Sequence, residues 1–271
     1  TPKGHFVPGV WGPYQNAIFS GWWMNEGGQS STGQLIDFVI STHPAQETLE
    51  KTASERGIST FEILEEELER LRQQEGVPSL TELTKHIHFY PDLHGNRSPI
   101  ADPKMTGSIT GLTLDDSISD LAKKFNVTLE AIALQTKHIL DEMNVHGHDV
   151  RGIYMSGSQA KNIALMQLIA DVCGIPVILP HSPSAAVVLG SAMLGRFAAE
   201  ASALGQKPSD EEQRHRLWNI MVDMTQPGQL VKPSATARQK KLLEVKYKIF
   251  RETIEIQKRW RKEVEDALRE D

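Results

Sequence analysis

Residues 152–179 read GIYMSGSQAKNIALMQLIADVCGIPVIL. The first five, GIYMS at 152–156, carry the β-branched and aromatic content of a short strand. A Gly-Ser turn follows, then apolar residues at helical spacing over 161–173, then Gly174 as a stop. A second strand-like run, IPVIL at 175–179, closes the segment. Strand, turn, helix and strand in that order are the repeating unit of α/β domains, and they set the fold class as α/β.

The turn has chemistry of its own. MSGSQAKN at 155–162 lies directly after a strand and before a helix, where exposed amides carry partial positive charge. Gly157, having no Cβ, lets a ring or a phosphate approach the backbone, while Ser158, Gln159 and Lys161 offer hydrogen bonds and a cation. A second stretch, EGGQSSTG at 26–33, stands just before the apolar LIDFVI, whose spacing predicts a helix over 31–42 with Leu35, Ile36, Val39 and Ile40 inward. Neither turn fits GxxxxGK[ST] or GxGxxG. Each reads equally as a tight turn with ordinary capping, so a two-contact nucleotide site and two plain turns both stay open.

Outward from these, residues 5–25 suggest short strands and turns, punctuated by Gly9, Pro13 and Gly21. Residues 45–75 read as a helical pair broken at Arg56-Gly57, its second member opening on the capping box Ser59 to Glu62. EEELERLRQQE is that helix's solvated face. A short helix is expected from Pro78-Ser79 to Glu82, and a strand at 87–91. The 92–107 loop is long enough to be functional, and Asp92, His94, Arg97 and Asp102 either bond within it or rim a cleft. Asp115-Asp116 reads as a helix start, and a helix is expected from Thr128 to about Asn144. The 184–201 stretch reads as a deeply buried helix rich in small residues, and the tail from Ala235 as a long charged amphipathic helix.

Composition narrows the classes. The 271 residues suffice for one large domain or two small ones, and a net charge of −6 argues against non-specific nucleic-acid binding and a basic membrane face. No apolar run approaches the ~20 residues that span a bilayer. Cys173 is the only cysteine, so no internal disulfide forms, and its apolar context predicts a packed thiol. His86 with His88, and His146 with His148, lack the cysteine or acidic partners of a zinc site. The opening TPKGHFVPGV is not a signal peptide, has no initiator methionine and reads as cut from a longer chain. A cytoplasmic location is expected. No GxSxG elbow occurs, and no GxGxxG supports a dehydrogenase.

FVPGVWGPY, NEGGQSSTGQLID, FYPDLHGNRSPIADP and YMSGSQAKNIALMQLIADVCGIPV, in that order, resemble the C-terminal domain of FGGY carbohydrate kinases, and most nearly the eukaryotic D-ribulokinase-like branch. The resemblance runs over nearly the whole chain and is strongest at 6–40, 87–112 and 150–195. It implies the ribonuclease H-like, actin-like ATPase fold with added helices, one C-terminal domain over 1–271 and an N-terminal sugar-binding domain outside the chain. It implies ATP and Mg2+ as cofactors and phosphorylation of a ketopentose or polyol, D-ribulose foremost. By motif, Thr32 and Gly33 line the ATP phosphates, Asp37 approaches the nucleotide, Gly157 lies against adenosine, Lys161 falls where relatives often have Asn or another polar residue contacting the nucleotide, and Ser158 lies between them. The family's general base precedes the FVPGVWGPY-like segment, so no catalytic residue is assigned in this chain, and the fragment is expected to be inactive alone. Two departures stand out: Ser156-Gly157-Ser158 replaces part of a glycine run, and SISDLAKKFNVTLEAIALQ meets the signature after TGLTLDD only loosely. The first favours an alternative, a non-catalytic nucleotide-binding or scaffold module of the same fold. A homo-oligomer is open, since the long tail helix can pack on a partner.

Overall fold

The structure, a computed structural model, describes residues 1–205 and 208–269. In chain order it runs β1 (Trp11–Gln15), β2 (Trp23–Glu26), α1 (Thr32–Ser41), α2 (Gln46–Arg56), α3 (Thr60–Gln74), α4 (Leu80–Leu83), β3 (His88–Tyr90) and β4 (Ser108–Thr110). Then come α5 (Ile118–Val145), β5 (Ile153–Tyr154), α6 (Ile163–Cys173), β6 (Val177–Leu179), α7 (Ala186–Ser202), α8 (Asp210–Met224), β7 (Gln229–Val231) and α9 (Ala237–Ala267). The elements group into two compact units. The first is Thr1–Gly28, Ser98–Ile100 and His138–Ser234; the second is Gln29–Arg97, Ala101–Lys137 and Ala235–Asp271.

In the first unit β5 lies parallel to β6, joined through α6, which is the expected strand-turn-helix-strand crossover, and β7 adds antiparallel to the other edge of β6. Leu165, Met166, Ile169 and Ala170 of α6 are buried, as are Val177 and Leu179 of β6. β1 and β2 form a separate antiparallel ribbon with an irregular register between Trp11 and Tyr14. The expected helix over 161–173 divides: a 3₁₀ turn (Ser158–Lys161) comes first, and Asn162 then caps α6 by accepting from Leu165 N at 2.8 Å. Cys173 is half-buried rather than packed in the core.

α7 corrects a second expectation. Only Met193 of it is buried, and Val187 and Val188 are 80% and 73% exposed. The small apolar residues that suggested deep burial are therefore surface residues of this chain, because nothing among the described residues covers that face.

In the second unit β3 pairs antiparallel with β4, and α9 lies against β3 and α4. Gly57 ends α2 in the left-handed conformation, and the Ser59–Glu62 capping box starts α3 with both reciprocal bonds present. Leu49 and Ala53 of α2 and Ile63, Leu64, Leu68 and Leu71 of α3 are buried, with the charged run outward as expected. α5 begins ten residues before the expected Thr128, at Ile118. Asp115 Oδ1 accepts from Ser117 N and Ser117 Oγ from Asp120 N, so the helix start does lie at the acidic pair's end of this segment. No described helix is long and apolar enough to cross a membrane.

Candidate functional site

Of the EGGQSSTG stretch, Gly27 belongs to the first unit and Gln29 onward to the second. A Cβ on Gly27 would lie 3.2 Å from Ile139 Cγ2, so this glycine serves close packing. Gln29 is the anchor of the second part. Its Nε2 donates to Thr136 Oγ1 at 2.7 Å and to Ile132 O at 3.2 Å, while its buried Oε1 has no protein partner. Ser31 then takes a left-handed conformation (φ 50°, ψ 48°) at the N-cap of α1 and makes no side-chain cap bond.

That leaves an unusual helix start. The first intrahelical donor is Leu35 N, bonded to Ser31 O at 3.0 Å, so the amides of Thr32, Gly33 and Gln34 precede the ladder. No acidic side chain occupies the first turn to offset the positive end of the helix dipole. Gly33 is exposed, and a Cβ there would meet nothing within 4 Å. Asp37, one turn on, is exposed as well.

Asp37 lines a cleft of about 500 Å³ together with Ser30, Gln34, Phe38 and Ser41 of the same helix face. The opposite wall is Pro91, Leu93 and His94, from the start of the long loop. The loop thus both bonds within itself and rims a cleft. Asp92 is its buried pin. It accepts from the Tyr90 hydroxyl, from Asn96 Nδ2 at 2.7 Å and from Gln135 Nε2 at 2.6 Å. Burial pushes the Asp92 carboxyl above its usual value, against these hydrogen bonds, which favour the carboxylate. Gly95 is required at its position, because at φ 75° a Cβ would come within 2.8 Å of Pro103. Asn96 N donates to Asp102 O at 2.9 Å, and Asp102 in turn accepts from Arg261 of α9 at 2.5 Å and from Lys104 N at 2.9 Å. Burial opposes ionisation of Asp102, but those two donors prevail and hold it below the ordinary carboxylate value. Arg97 is exposed on the same loop.

In the first unit, the MSGSQAKN turn places Gly157, Ser158 and Lys161 at the surface. Gly157 has φ 91° and ψ −175°, a region essentially closed to other residues, and open space where a Cβ would stand. Its own amide is taken by Pro183 O at 3.0 Å, and Asn162 satisfies a donor at the start of α6. The turn therefore offers an open glycine surface and a cation rather than a row of unspent helix amides. Among the described residues no group of three or more His, Cys, Asp or Glu side chains could hold a metal.

Sequence reasoning missed Gln34, Phe38 and Ser41 as cleft-lining residues. Their signal was present, since 30, 34, 37, 38 and 41 share one helical face. The Gln29 anchor gave none, because its partners lie more than a hundred residues away.

The family description "FGGY family of carbohydrate kinases, C-terminal domain" matches residues 1–199. A D-ribulokinase of Saccharomyces cerevisiae is 48% identical over 195 residues, covering 72% of this chain and 27% of that protein. An FGGY carbohydrate kinase domain-containing protein of Homo sapiens is 38% identical over 255 residues, covering 94% of this chain and 43% of the relative. The chain thus spans less than half the length of these two curated relatives. Among solved structures, a xylulose kinase from Rhodospirillum rubrum superposes with a TM-score of 0.60 at 18% identity, over 89% of this chain and 42% of that one. A xylulose kinase from Lactobacillus acidophilus gives 0.53 at 16% identity, over 82% and 37%. At such identities the likeness shows the fold: the mixed α/β architecture with open sheets of the actin-like, ribonuclease H-like sugar kinases.

Proposed function

The chain belongs to the FGGY family of carbohydrate kinases, through its C-terminal domain, and from that premise we propose that residues 1–271 are the ATP-binding half of a sugar kinase. The whole enzyme transfers the γ-phosphate of ATP to a hydroxyl of a ketopentose or polyol, with D-ribulose as the favoured acceptor. The yeast D-ribulokinase supports that choice, being 48% identical where it aligns. An N-terminal domain of the same polypeptide supplies the sugar pocket and the general base, and the enzyme works in the cytoplasm.

The observation that carries the reading is the start of α1. Its first amides have no side-chain cap, no acidic residue stands in the first turn, and the flanking Ser30 and Gln34 line a cleft together with Asp37. Such a terminus suits phosphate oxygens. In this reading Thr32 and Gly33 face the phosphates, Asp37 accepts from nucleoside hydroxyls, and Gly157, Ser158 and Lys161 contact the adenosine side. The open space at Gly33 and Gly157 fits that use. In this reading Mg2+ would come with the nucleotide's phosphates. Phosphoryl transfer needs nucleophile, base and phosphates positioned together. The chain alone is therefore expected to bind nucleotide weakly and to turn nothing over.

Calorimetric titration of the chain with MgATP tests this. The expected result is a weak, magnesium-dependent heat that Asp37→Ala diminishes about tenfold in affinity, a loss equivalent to about 1.4 kcal/mol. No heat with either ATP or ADP would favour the scaffold alternative, for which the Ser156-Gly157-Ser158 departure speaks. Turnover of D-ribulose by these 271 residues in a coupled ADP-release assay would overturn the assignment of the base to another domain.

A further inference from the structure

α7 divides cleanly into two faces. At about 100° per residue, Leu189, Met193 and Phe197 share the side on which the helix is buried or half-buried. The other side is open. From Leu194 through Val187, Gly195 and Val188 to Ala199 and Ala192, exposed residues fill an arc of about 160°. No charged residue falls within that arc. Its hydroxyls are Ser191 and Ser202, and Ser191 Oγ turns back to donate to Val187 O at 3.0 Å. Arg196 stands at the edge and is drawn off to Glu200 at 2.8 Å and to Asp223 of α8 at 2.5 Å. A helix on a protein surface carries charge on its outer side, and one without charge there belongs in an interior. α7 thus has the composition of a covered helix and, among the described residues, the exposure of an uncovered one.

Two observations identify the occupant. α7 lies, up to residue 199, within the stretch that matches a C-terminal domain, and the human relative, aligned over 94% of this chain, has more than half of its own length outside the alignment. A body of domain size is therefore available on the same polypeptide, and a tether presents it at an effective concentration of about millimolar. The second observation is position. α7 follows directly on a turn that holds the Gly157 loop, where Pro183 O accepts from Gly157 N at 3.0 Å. A domain seated on the open face stands beside the glycine turn, which is where a sugar-bearing half has to come for phosphoryl transfer.

We propose that the open face of α7 is the seat of the N-terminal domain of the same polypeptide. The inference rests on the two-domain reading above and adds the surface through which the halves meet. Gly195 lies near the centre of the arc, with open space where a Cβ would stand, and the alanines beside it let the backbone of the other domain approach closely. Val187, Val188 and Leu194 supply apolar area around it. The lack of charge gives the contact the character of a permanent interface.

Thiol labelling of the full-length polypeptide and of the 271-residue chain tests this. In a Cys173→Ser background, Val188→Cys and Ala192→Cys place reporters on the open face, and Lys51→Cys on α2 serves as an exposed control. A maleimide is expected to react with both face reporters at least tenfold more slowly in the full-length protein than in the chain, and with the control equally in both. Gly195→Arg should return the face reporters to the rates of the isolated chain while leaving that chain's own Tm unchanged, because the position is open. Equal rates in the two proteins, protection that survives Gly195→Arg, or a gene with no domain encoded upstream of Thr1 would each overturn the proposal. So would protection already present in the isolated chain and deepening with its concentration, which would assign the face to a second copy. Titration with MgATP keeps the two readings apart: protected reporters in a protein that binds no nucleotide would leave this contact in place and remove only the nucleotide site.

Discussion

Asp92 gathers a tyrosine hydroxyl and two carboxamide donors onto one buried carboxylate, and through them it fixes the turn that carries Leu93 and His94. Burial raises its folded-state value above the ordinary 3.8. Between those two values the folded chain holds more protons than the unfolded one, so stability falls as pH rises through that window. Asp92→Asn removes the titration, and the slope of Tm against pH just above 3.8 should flatten. At neutral pH the same variant should be less stable by about 1–3 kcal/mol, because its amide nitrogen meets donors where a carboxylate oxygen had accepted. The two glycines of the proposed nucleotide turns behave oppositely. Gly33 sits within a helix with open space around it, so Gly33→Ala should stabilise the fold by up to about 1 kcal/mol while weakening MgATP binding. Gly157→Ala should cost about 1–3 kcal/mol whether or not a ligand binds, since its φ of 91° strains any other residue. Thermal melts with and without MgATP separate these effects. A loss of stability in Gly33→Ala would contradict the first.

Most elements could be read from local signals, and the exceptions have local causes. The capping box at Ser59 and the left-handed Gly57 were legible because both ends of each signal lie within a few residues. The start of α5 was not, because Asn126 and Thr128 look like capping residues. Both instead lie within α5 and are satisfied there, Thr128 by its own helix and Asn126 by the end of α4. Thr128 Oγ1 donates to Lys124 O at 2.8 Å, and Asn126 Nδ2 donates to Thr84 Oγ1 at 3.0 Å. α9 was legible as amphipathic, yet its firmest tie was hidden, since a lysine on a charged helix reads as solvated. Lys246 is buried, and its ammonium donates to Glu130 of α5 and, at 2.9 Å, to Thr84 O. Burial pushes Glu130 up and Lys246 beside it pulls the other way. Lys246→Met should therefore cost about 3–5 kcal/mol, because it strands a buried carboxylate, and adding Glu130→Leu should recover most of that loss. Urea unfolding of the single and double variants gives the comparison. A single variant as stable as the wild type would show that the pair does not join α9 to α5.

At the scale of the molecule, the α/β class and the family were legible from four motifs in fixed order, because they lie in the chain as continuous segments. The cleft was only half legible. Asp37 and His94 were both weighed from the sequence, but their convergence on one cavity is a tertiary fact. α7 shows the limit from the other side: a stretch such as SAAVVLGSAMLGRFAAEA tells how readily a helix would be covered, and not whether anything covers it. The match to the family description ends at residue 199, although the likeness to the human relative covers 94% of the chain, and the second unit takes in everything from Ala235 onward. A cloning boundary drawn where that match ends would remove α9, and with it the counter-ion of Glu130, the guanidinium on Asp102 and the ring that lies beside Tyr90. The shorter product would be expected to precipitate during expression, because the last helix is a keel of this half and not an appendage.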